Sequence, residues 1–384
     1  MRTYLDAGGR APVHPVAREA LLAALDEGWA DPRRLHAEGR RARLLLDGAR
    51  EALADVLGAR PAETHLAPSL TAGLHTAVLA VARARRRTGS RVVVSAVERA
   101  AVLAAAAHVG GTDGGDVPGG VGGVVRVPVG RDGAVDPAAW TSALTTDTAL
   151  AAMQHANGEV GTLQPVGSAH EACAALGVPL LVDAGASVGH VPVGPAWDVL
   201  AADPADWGGL PGVGVVAVRT RVRTTPSGPE DEEPWAPGGV SVPAALAAAA
   251  SLRAVLAQAE AADAARRPLV ARIRAAAAAV PDVEVVGDPD HRLPHVVTFS
   301  CLYVDGEALV TELDRRGFAV GSGSACTSSA LEPSHVLAAM GVLTHGNVRV
   351  ALPTGVTADD VERFCTELPD AVAHVRRLAG AEGL

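Results

Sequence analysis

The chain has 384 residues, 48% of them hydrophobic and 20% charged, with a formal net charge of -10. This length accommodates two domains sharing a substantial core, and the composition excludes extensive disorder. The acidic balance disfavours nucleic acid as a partner. All 33 Lys+Arg positions are arginine, so the chain contains no lysine.

The opening MRTYLDAGGR lacks the long apolar core of a signal peptide, and the alanine-rich stretches are broken by Arg, Asp or Glu well before the length of a membrane span. A cytoplasmic protein without membrane contact is expected. Apolar periodicity predicts a helix over 35–59, a short strand in THLAPS and a helix over 71–87. A strand over 91–97, a helix to about 108, strands over 124–129 and 148–154, a helix over 167–176 and a strand over 178–184 follow. Strands alternating with helices imply a parallel sheet wrapped by helices.

Beyond about residue 240 the texture changes to one long alanine-rich helix over 243–279. Strands VEVVG and HVVTFSC, the helix GEALVTELDRRG and a final helix from about 357 complete a smaller α+β unit. Two Gly/Pro-rich stretches, 110–123 and 226–239, read as surface loops. The first does not run directly from a strand into a helix, as a phosphate cradle must.

Cys173, Cys301, Cys326 and Cys365 are widely scattered, with neither a CxxC pair nor metal-ligand spacing. Among the 13 histidines there is no HExxH and no H-x-H. No disulfide framework and no metal are expected.

Several motifs, in order, carry a resemblance. YLDAGGRAPVHP is similar to YLDNxATTPxxP, DPRRLHAEGRRAR to NPSSxHxxGxxAR, and HANGEVGTLQP (155–165) to HxNNExGxxQP. VDAGASVGHVPV (182–193) follows the pattern of a DAAQxxGxxPxD strand end. GSACTSS with its following PSHVLAAMG, and the strand NVRVAL (347–352), complete the series. The chain resembles the cysteine desulfurases, within the class V aminotransferase group of fold-type I pyridoxal phosphate enzymes. The resemblance implies a large α/β domain over 13–242 with a mostly parallel seven-stranded sheet flanked by helices. It also implies a smaller α+β domain formed by 1–12 and 243–384 that carries the Cys326 loop.

In that family a lysine forms a Schiff base with pyridoxal phosphate, an Asp pairs with the pyridine nitrogen, a His stacks on the ring and a loop Cys takes the substrate sulfur as a persulfide. By resemblance, Asp183 holds the Asp position, although an Asp closing a parallel strand can also simply cap the next turn. Asn157 faces the ring oxygen, Thr71 remains at the phosphate turn, Arg349 grips a substrate carboxylate and Cys326 is the sulfur carrier.

Other positions depart from the pattern. Arg99 replaces the stacking His, Ala186 the Gln beside the cofactor's phenolic oxygen, and Ser69 the Gly of the phosphate turn. WAPGGVS stands roughly where the family has Arg-Ser-Gly-Thr. In DPADWGGLPGVG, Asp206 aligns with the Schiff-base lysine and Ala205 with the His before it. A carboxylate cannot form an imine, and drift from Lys to Arg does not explain an Asp.

Three functions are compatible with this pattern. The chain is a degenerate desulfurase acting as partner subunit, scaffold or persulfide carrier through Cys326, as a homodimer or paired with an active paralogue, and handing sulfur to an acceptor protein. Alternatively it acts on L-cysteine with non-covalently bound pyridoxal phosphate and Asp206 as general base. In a third reading, Arg99 holds an anion in a pocket that has changed its ligand.

Overall fold

The computed structural model describes residues 2–110, 123–226, 228–322 and 333–380. In chain order it begins with β1 (Thr3–Tyr4), α1 (Pro15–Glu27), α2 (Ala37–Leu57), β2 (Thr64–Ala67), α3 (Leu70–Ala84), β3 (Arg91–Ser95) and α4 (Ala100–Gly110). There follow β4 (Gly123–Val127), α5 (Pro137–Ala143), β5 (Thr148–Gln154), α6 (Val166–Ala175), β6 (Leu180–Asp183), β7 (Val199–Ala202) and β8 (Gly214–Val218). The remainder comprises α7 (Val242–Leu256), α8 (Ala259–Ala278), β9 (Val283–Val286), β10 (Val296–Cys301), α9 (Gly306–Arg315), β11 (Phe318–Ala319), α10 (His335–Met340), β12 (Asn347–Ala351) and α11 (Ala358–Leu378).

Seven strands form one sheet in the order β2-β8-β7-β6-β5-β3-β4, in which only β8 runs against its neighbours. The sheet is therefore mostly parallel, as the resemblance implies. Strand β5, TALAAMQ, is buried along its whole length, as expected of a strand covered on both faces. Its period of two sends Ala151 and Met153 into the core that includes Leu46, Trp140 and Cys173. Leu150 and Ala152 point the other way, toward Leu74, Val78 and Val102 of α3 and α4.

A second core lies around the antiparallel sheet β12-β10-β9, where Phe299 and Val350 meet Ile273, Leu309 and Phe364 from α8, α9 and α11. Parallel pairing of β1 with β11 brings the N-terminus into this unit. The caps that start these helices are visible in the sequence: Asp305 accepts from Ala308 N at α9, and Thr357 and Asp360 form a reciprocal capping box at α11.

One expected element is corrected. The alanine-rich helix over 243–279 is two helices, α7 and α8, meeting at a 70° bend. Helix α7 contributes Val242, Ala245 and Leu252 to the core beneath the seven-stranded sheet, whereas α8 turns Val270, Ile273 and Ala277 toward the smaller sheet. Two packing partners demand two helix directions. The 226–239 stretch forms turns in which Asp231 accepts from Glu233 N and Gly238 N, and Trp235 is buried against His65. Most of the 110–123 stretch lies outside the described residues. No single helix among the described residues is long and apolar enough to cross a membrane.

Candidate functional site

The parallel strands β3, β5, β6 and β7 deliver their C-terminal ends to one edge of the sheet, the usual place for a ligand crevice in such folds. Arg99 follows β3, Asn157 follows β5, Asp183 ends β6 and Asp206 follows β7. Topology thus gathers four of the expected site residues.

Asp183 is buried, and both of its oxygens are used. Oδ1 accepts from Gly185 N at 2.8 Å, so the carboxylate does cap the turn after its strand. Oδ2 accepts from Arg99 Nε at 2.6 Å. A Cβ on Gly185 would come within 2.3 Å of Leu70 Cδ2 and 3.0 Å of Arg99 Nη2, so only glycine fits at this turn beside the pair. Arg99 is therefore the counter-ion of Asp183, bonded to it through Nε. Next to it, burial and the Asp183 charge push the Glu98 carboxyl up to about 8.

Asn157 is committed to its own loop. Its Oδ1 accepts from Glu159 N and Val160 N, both at 2.9 Å, and its Nδ2 donates to Val97 O at 3.3 Å. Ser69 caps α3 by accepting from Ala72 N at 3.1 Å. Its hydroxyl thus takes one of the amide donors that a phosphate would seek at the helix start. Thr71 is exposed in the first turn, and Ala186 is an apolar residue against Gly158. Arg349, on β12, donates to Asp6 Oδ1 at 3.0 Å and to Gly8 O at 3.1 Å, which ties the N-terminal segment to the smaller sheet.

Asp206 lies in the one-turn helix Pro204–Trp207 and is 1% exposed. Its Oδ1 accepts from Gly9 N at 2.6 Å. Its Oδ2 is 3.1 Å from His190 Nε2 but out of line for a hydrogen bond, and has no hydrogen-bond partner among the described residues. His190 stacks on His295, with ring centroids 3.9 Å apart, and its Nδ1 is 3.5 Å from Arg266 Nη1. Burial, reinforced by the surrounding cationic side chains, holds His295 well below the usual histidine range and thus neutral. Sequence reading did not single out His190, Arg266 or His295. They come from three separated segments, and no spacing connects them.

Cys326 lies outside the described residues. Cys173, Cys301 and Cys365 are buried, and burial pushes the thiols of Cys173 and Cys301 up to about 12, away from any nucleophilic role.

These residues do not fit pyridoxal phosphate in the family manner. No lysine exists to anchor it, the acid that would meet a pyridine nitrogen is already neutralised by Arg99, and the helix start that would take the phosphate is capped by Ser69.

The sequence model described as aminotransferase class-V matches residues 3–364. A cysteine desulfurase of Cereibacter sphaeroides is 33% identical over 396 aligned residues, covering 99% of each chain. An IscS-like cysteine desulfurase of Mycobacterium tuberculosis is 34% identical and covers 98% of each. Among solved structures, a NifS-like protein superposes with a TM-score of 0.88 at 23% identity, over 97% of this chain and all of the other. DndA of Streptomyces lividans gives a TM-score of 0.76 at 27% identity, covering 92% of this chain and 100% of that one.

Proposed function

The chain belongs to the class-V aminotransferase family, in its cysteine desulfurase branch, and on that premise we propose that it has left solo pyridoxal phosphate catalysis. It serves as a cytoplasmic partner subunit, scaffold or persulfide carrier, with Cys326 as the sulfur-bearing residue. The observation that carries this reading is the Arg99–Asp183 ion pair, which consumes the carboxylate that the cofactor chemistry requires. As a carrier, the Cys326 thiolate attacks the outer sulfur of a donor persulfide, a new S–S bond forms on Cys326, and the donor leaves as a thiolate, so no external oxidant is needed.

A partner is needed, either a second copy or an active paralogue, and an acceptor protein takes the sulfur onward. Trp29 and Leu35, between α1 and α2, and Leu44 on α2 are exposed apolar side chains of the kind such a partner covers.

Asp206 Oδ2, without a hydrogen-bond partner among the described residues, favours a second reading: a base working on L-cysteine with non-covalent pyridoxal phosphate. Alanine release from L-cysteine, with pyridoxal phosphate added, separates the two. The first reading expects no alanine above a protein-free control. Multiple turnovers that disappear in Asp206→Asn would establish the second.

A further inference from the structure

We propose that His190, Asp206 and His295 form a binding site for one divalent first-row transition ion of the zinc or cobalt kind. One donor atom from each of the three lies within 4.8 Å of the others, and all three residues are buried. They reach the site from the loop after β6, the turn after β7 and the segment leading into β10, so the fold and not a local motif assembles them.

Two of the three residues carry an unsatisfied ligand atom. Asp206 Oδ2 and His295 Nδ1 have no hydrogen-bond partner among the described residues, and both residues are 1% exposed. Buried polar atoms are nearly always paired, so two bare ligand atoms in one buried cluster, beside a His190 whose Nε2 lies 3.3 Å from Asp206 O, indicate an occupant. Gly9 N fixes the other Asp206 oxygen at 2.6 Å, the kind of outer contact that orients a ligating carboxylate. Two imidazoles and a carboxylate suit zinc, cobalt or ferrous ions rather than magnesium or calcium, which prefer all-oxygen ligands.

Two features set the cost of occupation. The imidazoles of His190 and His295 lie 25° from parallel, so one ring must turn before both lone pairs meet at an ion. Arg266 Nη1 stands 3.5 Å from His190 Nδ1, and its positive charge opposes a cation. In the competing arrangement, Arg266 donates to His190 Nδ1, His190 Nε2–H donates to Asp206 O at the 3.3 Å where it already stands, and the cluster is a sealed polar plug without an ion. Neither arrangement depends on Cys326 or on the failure of pyridoxal phosphate to bind.

The test is equilibrium dialysis of the chelator-stripped, full-length protein against Co²⁺, with the visible d–d absorption recorded, followed by competition with Zn²⁺. The expected result is one ion per chain. Asp206→Asn, which keeps an acceptor for Gly9 N, and His295→Gln should each weaken binding by about tenfold or more. Arg266→Met should strengthen it. Far-UV circular dichroism of each variant in chelator shows whether it is folded. Binding below one ion per chain in the wild type, or unchanged binding in folded Asp206→Asn and His295→Gln, overturns the site. The wild-type stoichiometry decides even if a variant does not fold.

Discussion

Arg99 Nε donates to Asp183 Oδ2 across 2.6 Å, joining two residues 84 positions apart at the end of the sheet. Asp183 is almost wholly buried while the Arg99 side chain is 37% exposed, so the pair lies between the surface and buried limits. Arg99→Ala leaves the Asp183 carboxylate without its cation and should cost about 2 kcal/mol. Urea unfolding of the two single variants and of Arg99→Ala/Asp183→Ala measures the coupling, and the double variant should lose less than the sum of the singles.

The pH dependence follows from buried groups with opposite shifts. Glu98, which faces Asp183 and Arg99, is pushed up to about 8, and Glu159, near Ser334 and Arg349, to about 7, both by burial first. These carboxyls keep their protons in the fold after the unfolded chain has lost them. Their contribution is full below the ordinary carboxylate range and is lost as pH rises toward 8. Burial lowers His65 and His155 to about 4, so their contribution is full above the ordinary histidine range and is lost as pH falls toward 4. Above about pH 7.5, where the histidines of the unfolded chain are neutral as well, the carboxyl losses stand alone, and urea midpoints should fall from there to pH 8 and beyond. Glu98→Gln should flatten that decline.

Ser69 caps α3 with its hydroxyl, and glycine is nearly as good at such a position. Ser69→Gly should therefore cost only a few tenths of a kcal/mol, whereas Ser69→Ala should cost about 1 kcal/mol. Thermal or urea unfolding distinguishes the two. The comparison shows whether the serine is retained for the helix cap alone.

Thiol reactivity should single out the sulfur loop. Cys173, Cys301 and Cys365 are buried in the cores. Native protein treated with Ellman's reagent should show one fast thiol, absent in Cys326→Ser, and four thiols after unfolding. Fast reaction that survives Cys326→Ser would place the reactive sulfur elsewhere.

The strands of the large sheet were largely legible because runs such as RVVVS and TALAAMQ are short, apolar and bounded by turn residues. Helix α8 is not separable from α7 in the sequence, since alanine at about half of the positions blurs the phase from which a change of direction at 257–258 would be read. In the site, Asp183, Arg99 and Asp206 were marked by their places in motifs. Their partners were not, because pairing across the sheet edge depends on strand order. The same holds for His190 and His295, whose ring contact links the loop after β6 to the segment before β10. The sequence alone carries no spacing for it.

In the proposed reading, the Arg99–Asp183 pair stands where the family's cofactor would bind, and the chain does not retain that cofactor. The most direct measurement is a visible absorbance titration of the purified protein with pyridoxal phosphate, with and without L-cysteine, followed by gel filtration. No chromophore should travel with the protein. A stoichiometric chromophore that survives gel filtration and shifts with L-cysteine would contradict it.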